Sequence, residues 1–192
     1  VKMASDAVMA LVAEISDLRN GFPSVEALDL ARQHDMDDGS IRSIAVGTQA
    51  TAKELRQRLD VAKSRITTIE AQASFHSRFA GMHCSDSKCP FERHIGQFAS
   101  AAQELTDKRS EVESLEARVA AAEQEARDLN GAAAAARAVV AAHGRLRRHR
   151  PVLEVAGVWS TIGPSSAFYD LIAAPSSEAA RSLTIDRLLT SV

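Results

Sequence analysis

Residues 45–73 read AVGTQATAKELRQRLDVAKSRITTIEAQA, and this stretch decides the fold. Apolar or small residues recur along it in alternating steps of three and four, and most of the charged residues fall between them. A seven-residue repeat of this kind is typical of coiled-coil helices, which bury one narrow stripe against a partner helix. The predicted stripe consists of Ala45, Thr48, Ala52, Leu55, Leu59, Ala62, Ile66, Ile69 and Ala73.

A second stretch with the same repeat follows, and only Lys108 and His143 interrupt its apolar pattern. A strict seven-residue repeat kept over so many turns is specific for coiled-coil packing. This second stripe consists of Phe98, Ala101, Leu105, Lys108, Val112, Leu115, Val119, Ala122, Ala126, Leu129, Ala133, Ala136, Val140 and His143.

The two stretches together predict an all-α protein, a long antiparallel coiled-coil hairpin with a cysteine-containing tip and a small helical base. Two helical arms joined by a short connection are expected to fold back on each other. The predicted parts are N-terminal helices of the base and lower rod (1–40), an ascending arm (41–79), a tip (80–94), a descending arm (95–150) and short C-terminal helices of the base (151–192).

Glycine-containing breaks lie at similar distances from the tip in the two arms, at residues 37–40 and at Asn130-Gly131. Because glycine weakens helices, matched breaks predict joints at which a rod would bend. The alternative is that Asn130-Gly131 lies inside one continuous helix, at a cost of about 1 kcal/mol. Before the first break, Ser24 is a predicted N-cap and Glu26 favours the first turn of a short helix.

The composition argues against several functional classes. The formal net charge of −2 gives no argument for a nucleic-acid or membrane partner. No apolar run approaches the ~20 residues that a membrane-spanning helix needs. No phosphate-binding G-x-x-x-x-G-K-[ST] loop occurs, and no local signature suggests a catalytic site, so we expect no enzymatic activity from this chain.

The two cysteines lie in the predicted tip, where residues 83–94 read HCSDSKCPFERH. Pro90 suits the first position of a helix, which places Cys89 near the N-cap, where the helix dipole favours a thiolate. Cys84 and Cys89 as thiolates would supply half of a tetrahedral zinc site, and a second hairpin meeting the first would supply the other half. His83 and His94 would be supporting or substitute ligands of the metal.

A heptad arm, a short loop with two cysteines, the pair Cys89-Pro90 and a returning arm resemble the zinc-hook region of SMC-like DNA-repair and genome-defence ATPases. The resemblance covers roughly residues 41–148, although four residues separate Cys84 from Cys89 where the family has two. It implies a homodimer joined at the tips through a shared Zn²⁺ ion, with ATPase heads outside this chain, DNA contact through the full-length protein and a cytoplasmic, nucleoid-associated location.

Other interpretations of the tip stay open at this point. Cys84, Cys89, His94 and one more histidine would suffice for zinc within a single chain, in a helical adaptor that binds partners through its base. The two cysteines would alternatively form a disulfide, cycle between dithiol and disulfide in a redox sensor, or be inert thiols. His76 lies on the first stripe, and a role at the edge of the stripe is favoured over a role as a ligand.

A basic cluster follows the second stripe and consists of Arg145, Arg147, Arg148, His149 and Arg150. Its four arginines are candidates for a weak nucleic-acid contact through phosphates. The favoured interpretation is simpler, because basic residues at the C-terminus of a helix complement the helix dipole.

Overall fold

The computed structural model describes residues 9, 10, 12, 13, 16, 24–79, 90–155, 159 and 163. No strand occurs among these residues, so the predicted all-α class is confirmed for this part of the chain. The helices are α1 (Val25–Gln33), α2 (Asp38–Ser77), α3 (Pro90–Leu146) and α4 (Arg150–Val155), with a 3-10 turn at Arg147–His149. Residues 80–89 of the predicted tip, and most of the predicted C-terminal segment, lie outside the described residues.

The chain divides into two compact units, each of which contains parts of α2 and α3. The central unit is Gly47–Gln124, and the terminal unit combines Val1–Val46 with Glu125–Val192. The coiled-coil hairpin with its cysteine tip stays a prediction, because the tip is not among the described residues.

Burial in the central unit follows the predicted stripes. On α2, Thr48, Ile66 and Ala73 are half-buried, and the other stripe residues of this unit are buried. The core around the middle of the stripes consists of Leu55, Leu59, Ala62, Leu115 and Val119, with Val112 and Ala122 packed against it. The side chains between the α2 stripe positions are exposed, so α2 buries one narrow face here, as the seven-residue repeat predicts.

Ion pairs flank this stripe and join α2 to α3 within the central unit. Lys63 pairs with Glu116 at 2.7 Å, and Glu70 pairs with Arg109 at 3.0 Å. A third pair, between Arg65 and Glu104, has a shortest N–O distance of 2.7 Å. Because Lys63 pairs further along α3 than Glu70 does, the two segments run in opposite directions. Exposed pairs of this kind contribute at most about 1 kcal/mol each, so they specify alignment more than stability.

Lys108, which interrupts the second stripe, is half-buried beside a compensating carboxylate. Its Nζ donates a hydrogen bond to Glu111 Oε2 at 2.6 Å. This hydrogen bond, and then the charge of Lys108, lower the pKa of Glu111 below its usual value. The long aliphatic part of the lysine therefore occupies a stripe position while the ammonium group keeps a partner at the surface.

The terminal unit has a broader core than the central unit. Leu28 and Ala31 of α1 belong to the same buried cluster as the end of α3. The buried residues of α3 after Gly131 are Ala132, Ala133, Ala135, Ala136, Val139, Ala142, His143 and Leu146. These positions cover a wide face of the helix, and most are alanines, which let neighbouring helices approach closely.

The predicted stripe is wrong at Val140, which is 45% exposed, whereas Val139 is fully buried. The physical reason is that the end of α3 is covered by more than one partner, since Leu28 of α1 and Leu153 of α4 share its core. A wide buried face does not follow a seven-residue repeat. His143, predicted as an interruption, is also buried, and its Nε2 lies 3.2 Å from the Gly163 carbonyl oxygen, which accepts a hydrogen bond from it.

The first predicted break, at residues 37–40, is present, but the helices are interrupted between Gln33 and Asp38, just before Gly39. Between α1 and α2, Asp35 and Met36 have positive φ angles of 54° and 57°, and Met36 packs into the core of the terminal unit. Asp37 then caps α2, because its Oδ1 accepts hydrogen bonds from the backbone N–H groups of Gly39 and Ser40. At the start of α1, Ser24 Oγ accepts a hydrogen bond from Ala27 N–H, so the predicted N-cap is confirmed.

The second predicted break does not interrupt its helix. Asn130 and Gly131 lie inside the continuous helix α3, and the Asn130 side-chain amide donates to the Ala126 carbonyl oxygen at 2.8 Å. The prediction of a helix break at this position is therefore wrong, and the alternative of one continuous helix is correct. The Asn130 side chain thus bonds to a backbone carbonyl group of its own helix, and the helix continues past it.

A membrane-spanning segment is not found in the part of the chain that the structure describes. None of its helices combines the length and the apolar character that crossing a bilayer requires.

Candidate functional site

The end of α2 and the start of α3 carry an aromatic cluster formed by Phe75, His76, Phe79 and His94. His76 lies in the last turn of α2 and His94 in the first two turns of α3. His76 was predicted to lie on the first stripe, three residues after Ala73, and His94 continues the spacing of the second stripe, four residues before Phe98. The stripe spacing therefore turns both imidazoles toward the opposite helix.

The two imidazoles meet directly. His76 Nδ1 lies 3.2 Å from His94 Nδ1, and the ring centroids are 5.3 Å apart at an interplanar angle of 31°. Both side chains are half-buried. At this distance one Nδ1–H donates a hydrogen bond and the other Nδ1 accepts it, which requires two different tautomers.

The phenylalanines fix the orientation of the histidine rings. Phe79 stacks on His94 with centroids 4.7 Å apart and an interplanar angle of 20°. Phe75 makes edge contacts with His76 at 5.3 Å and with His94 at 5.8 Å. Aromatic contacts on several sides restrict ring rotation, so the two Nδ1 atoms are held facing each other.

Of the predicted metal ligands, His94 is described, whereas His83, Cys84 and Cys89 lie outside the described residues. Among the residues that the structure describes, no group of three or more His, Cys, Asp or Glu side chains is arranged to hold a metal ion. The sequence-based interpretation favoured a role at the edge of the stripe for His76 over a role as a ligand, and it did not predict the contact between His76 and His94. The signal that would have found it is the antiparallel pairing of the stripes, which places stripe residues on either side of the tip next to each other.

The predicted arginine cluster lies where α3 ends. Arg145 is in the last turn of α3, Arg147 and Arg148 are in the 3-10 turn, and Arg150 starts α4. Arg150 donates to Glu154 Oε1 at 2.7 Å, and its guanidinium carbon lies 5.8 Å from the Trp159 ring centroid. Arg145, Arg147 and Arg148, at the C-terminal end of α3, agree with cations complementing the helix dipole, whereas Arg150 begins α4 and pairs with Glu154. The nucleic-acid contact of the four arginines stays a prediction.

Comparison with known proteins found no counterpart: no protein-family model matches the sequence, no curated protein matches it, and no solved structure matches it.

Proposed function

We propose that this chain is a structural and dimerisation module, a coiled-coil hairpin of an SMC-like ATPase that joins a second copy tip to tip through zinc. Cys84 and Cys89 of each copy would bind the shared Zn²⁺ ion, with His83 and His94 as supporting or substitute ligands. In DNA repair or genome defence such a joint would tether two DNA-bound complexes.

The observation that carries the proposal is the meeting of the two helices beside the cysteines. Phe79 and His94 stack on each other, so the described chain on either side of residues 80–89 comes together at one end of the central unit. The two cysteines lie between these flanks in the sequence. The proposal expects the two thiols of so short a segment to lie near each other, as a shared metal site requires.

Two features of the central unit further support a role in holding a tip. Its narrow buried stripe and flanking ion pairs are typical of coiled-coil packing, in which two helices stay aligned over many turns. Its helices expose mostly polar and charged side chains outside the stripe, which suits a spacer more than a compact catalytic domain.

The intrachain-zinc adaptor is the second candidate, and the proximity of a second histidine to His94 favours it over the redox sensor. In that arrangement Cys84, Cys89, His94 and one more histidine would bind zinc within one chain. The two candidates differ in zinc per chain and in the number of chains per particle.

The test is zinc content together with molar mass by light scattering, after a chelating resin has removed weakly held ions. The hook requires about half a zinc ion per chain and a dimer that becomes a monomer with a strong chelator. One zinc ion per chain at monomer mass would favour the intrachain site. If protein purified under reducing conditions contains no zinc and has the molar mass of a monomer, both metal proposals are contradicted.

A matched pair of variants separates the cysteines from the rest of the tip. Cys84→Ser/Cys89→Ser should abolish both zinc retention and dimerisation, because a hydroxyl is a poor zinc ligand. Ser85→Ala/Ser87→Ala changes the same segment at two positions without removing a thiol, and should keep both. If the serine-to-alanine control also lost the dimer, the thiols would not be the cause.

A further inference from the structure

We infer that His76 and His94 form a two-imidazole metal site on the helix ends that takes an exchangeable first-row divalent ion such as Zn²⁺, Ni²⁺ or Co²⁺. His94 would serve either this ion or a zinc ion of the tip, not both. This inference does not rest on the proposed function, because it needs neither cysteine and no second chain.

The distance between the two nitrogens is the first step of the argument. Two imidazole nitrogens bound to one zinc ion at about 2.0–2.1 Å, with an angle near tetrahedral, are roughly 3.3 Å apart. The Nδ1 atoms of His76 and His94 are 3.2 Å apart in the structure. The separation of the two nitrogens therefore already matches that of two ligands on one ion.

The second step is that the rings are already held in position. His94 is stacked on Phe79, and Phe75 contacts the edges of both imidazoles. A ligand pair whose rotamers are restricted by packing loses little side-chain entropy when the metal binds.

The third step is the protonation state. The present hydrogen bond needs one ring with its proton on Nδ1 and one with its proton on Nε2. When a metal ion replaces the shared proton, the first ring moves its proton to Nε2, and both neutral rings then offer an Nδ1 lone pair. Water molecules would complete the coordination of the ion.

The site would connect the last turn of α2 to the start of α3. Because the ion binds only when both helix ends are together, it would stabilise the closed end of the central unit. Imidazole ligands without thiolates suit Ni²⁺, Cu²⁺ and Zn²⁺, and they give a weaker, exchangeable site than a four-thiolate one.

The test uses the Cys84→Ser/Cys89→Ser chain, so that any cysteine site is removed beforehand. Calorimetric titration with Zn²⁺, and the visible absorption of added Co²⁺, should show one ion per monomeric chain. His76→Ala and His94→Ala in this background should each weaken binding by at least about tenfold, since loss of a ligand costs no less than loss of a group that supports one. His34→Ala, a half-buried histidine of the terminal unit, is the matched control and should bind normally.

Circular dichroism of each variant checks that helix content is kept, and His76→Gln supplies a second variant if His76→Ala unfolds locally. Absence of Zn²⁺ and Co²⁺ binding in the cysteine-free chain would overturn the inference. Binding that is unchanged by both His76→Ala and His94→Ala would overturn it equally. Neither result depends on whether the cysteines dimerise the protein, because dimerisation is measured on the chain that retains them.

Discussion

The central and terminal units use the same helices in different ways. In the central unit α2 buries one residue in every three or four, and ion pairs such as Lys63–Glu116 align it with α3. In the terminal unit α3 buries a wide alanine-rich face against a core that also includes Leu28 of α1 and Leu153 of α4. The difference teaches that a heptad pattern specifies burial only while a helix has a single partner.

The largest expected difference between the units concerns cavities. Leu28→Ala in the terminal unit should lower the free energy of unfolding by about 3–4 kcal/mol, whereas Leu59→Ala in the central unit should lower it by about 2 kcal/mol. Leu28 is completely buried in a cluster to which several helices contribute, whereas Leu59 is 8% exposed on a narrow stripe, where the space left by truncation would open to water. Urea unfolding followed by circular dichroism measures both.

The control for this comparison is Val61→Ala, because Val61 is 71% exposed and its truncation should change stability by less than about 0.5 kcal/mol. If Leu28→Ala and Leu59→Ala lowered the free energy of unfolding equally, the distinction between a multi-helix core and a two-helix stripe would not hold. Hydrogen exchange of amides in each unit would show whether each loss is local.

Replacing a stripe or core alanine by leucine should change the free energy of unfolding by an intermediate amount. Ala136→Leu should destabilise the terminal unit by about 1–3 kcal/mol, because Ala136 is fully buried in a close-packed face. Ala122→Leu, at a half-buried stripe position of the central unit, should be neutral or slightly stabilising. Thermal unfolding of the two variants would check this, with exposed Ala134→Leu as the control on the same helix. A tolerated Ala136→Leu would show that the alanine face is loosely packed.

The smallest expected effect concerns the glycine inside α3. Gly131→Ala should raise the free energy of unfolding by about 0.5–1 kcal/mol, because a Cβ there meets no atom within 4 Å and the backbone is helical. Gly39→Ala should gain less, since its Cβ would lie 3.3 Å from the Asp37 Oδ1 that caps α2. Paired urea titrations give both values. A loss of stability in Gly131→Ala would restore the idea of a joint at this position.

Many features of the helices were predictable, because the spacing of apolar residues within one segment shows which face of its helix is buried. The stripe from Ala45 to Ala73, the Ser24 cap and the start of α3 at Pro90 all follow from side-chain spacing and backbone preferences. The mistaken break at Asn130-Gly131 has a local reason too. The cost of a glycine in a helix is only about 1 kcal/mol, which packing along a long helix easily exceeds.

The candidate site was predictable only in part. His94 was identified from its position near the cysteines, but its contact with His76 links two helices and depends on the exact alignment of α2 with α3. Sequence spacing places His76 on the first stripe and His94 four residues before the second stripe, and it leaves open which residue of one helix faces which residue of the other. That alignment is a property of the packed pair, to which ion pairs such as Arg65–Glu104 contribute.

The sequence by itself determined that this protein is helical and which narrow face of α2 is buried, because the periodicity of a helix converts residue spacing directly into direction. Only the tertiary structure decided that Val139 is buried in place of Val140, and that the imidazoles of His76 and His94 meet at 3.2 Å. Both outcomes depend on how many helices surround a residue and how they are aligned, and neither quantity is encoded in the spacing along a single chain segment.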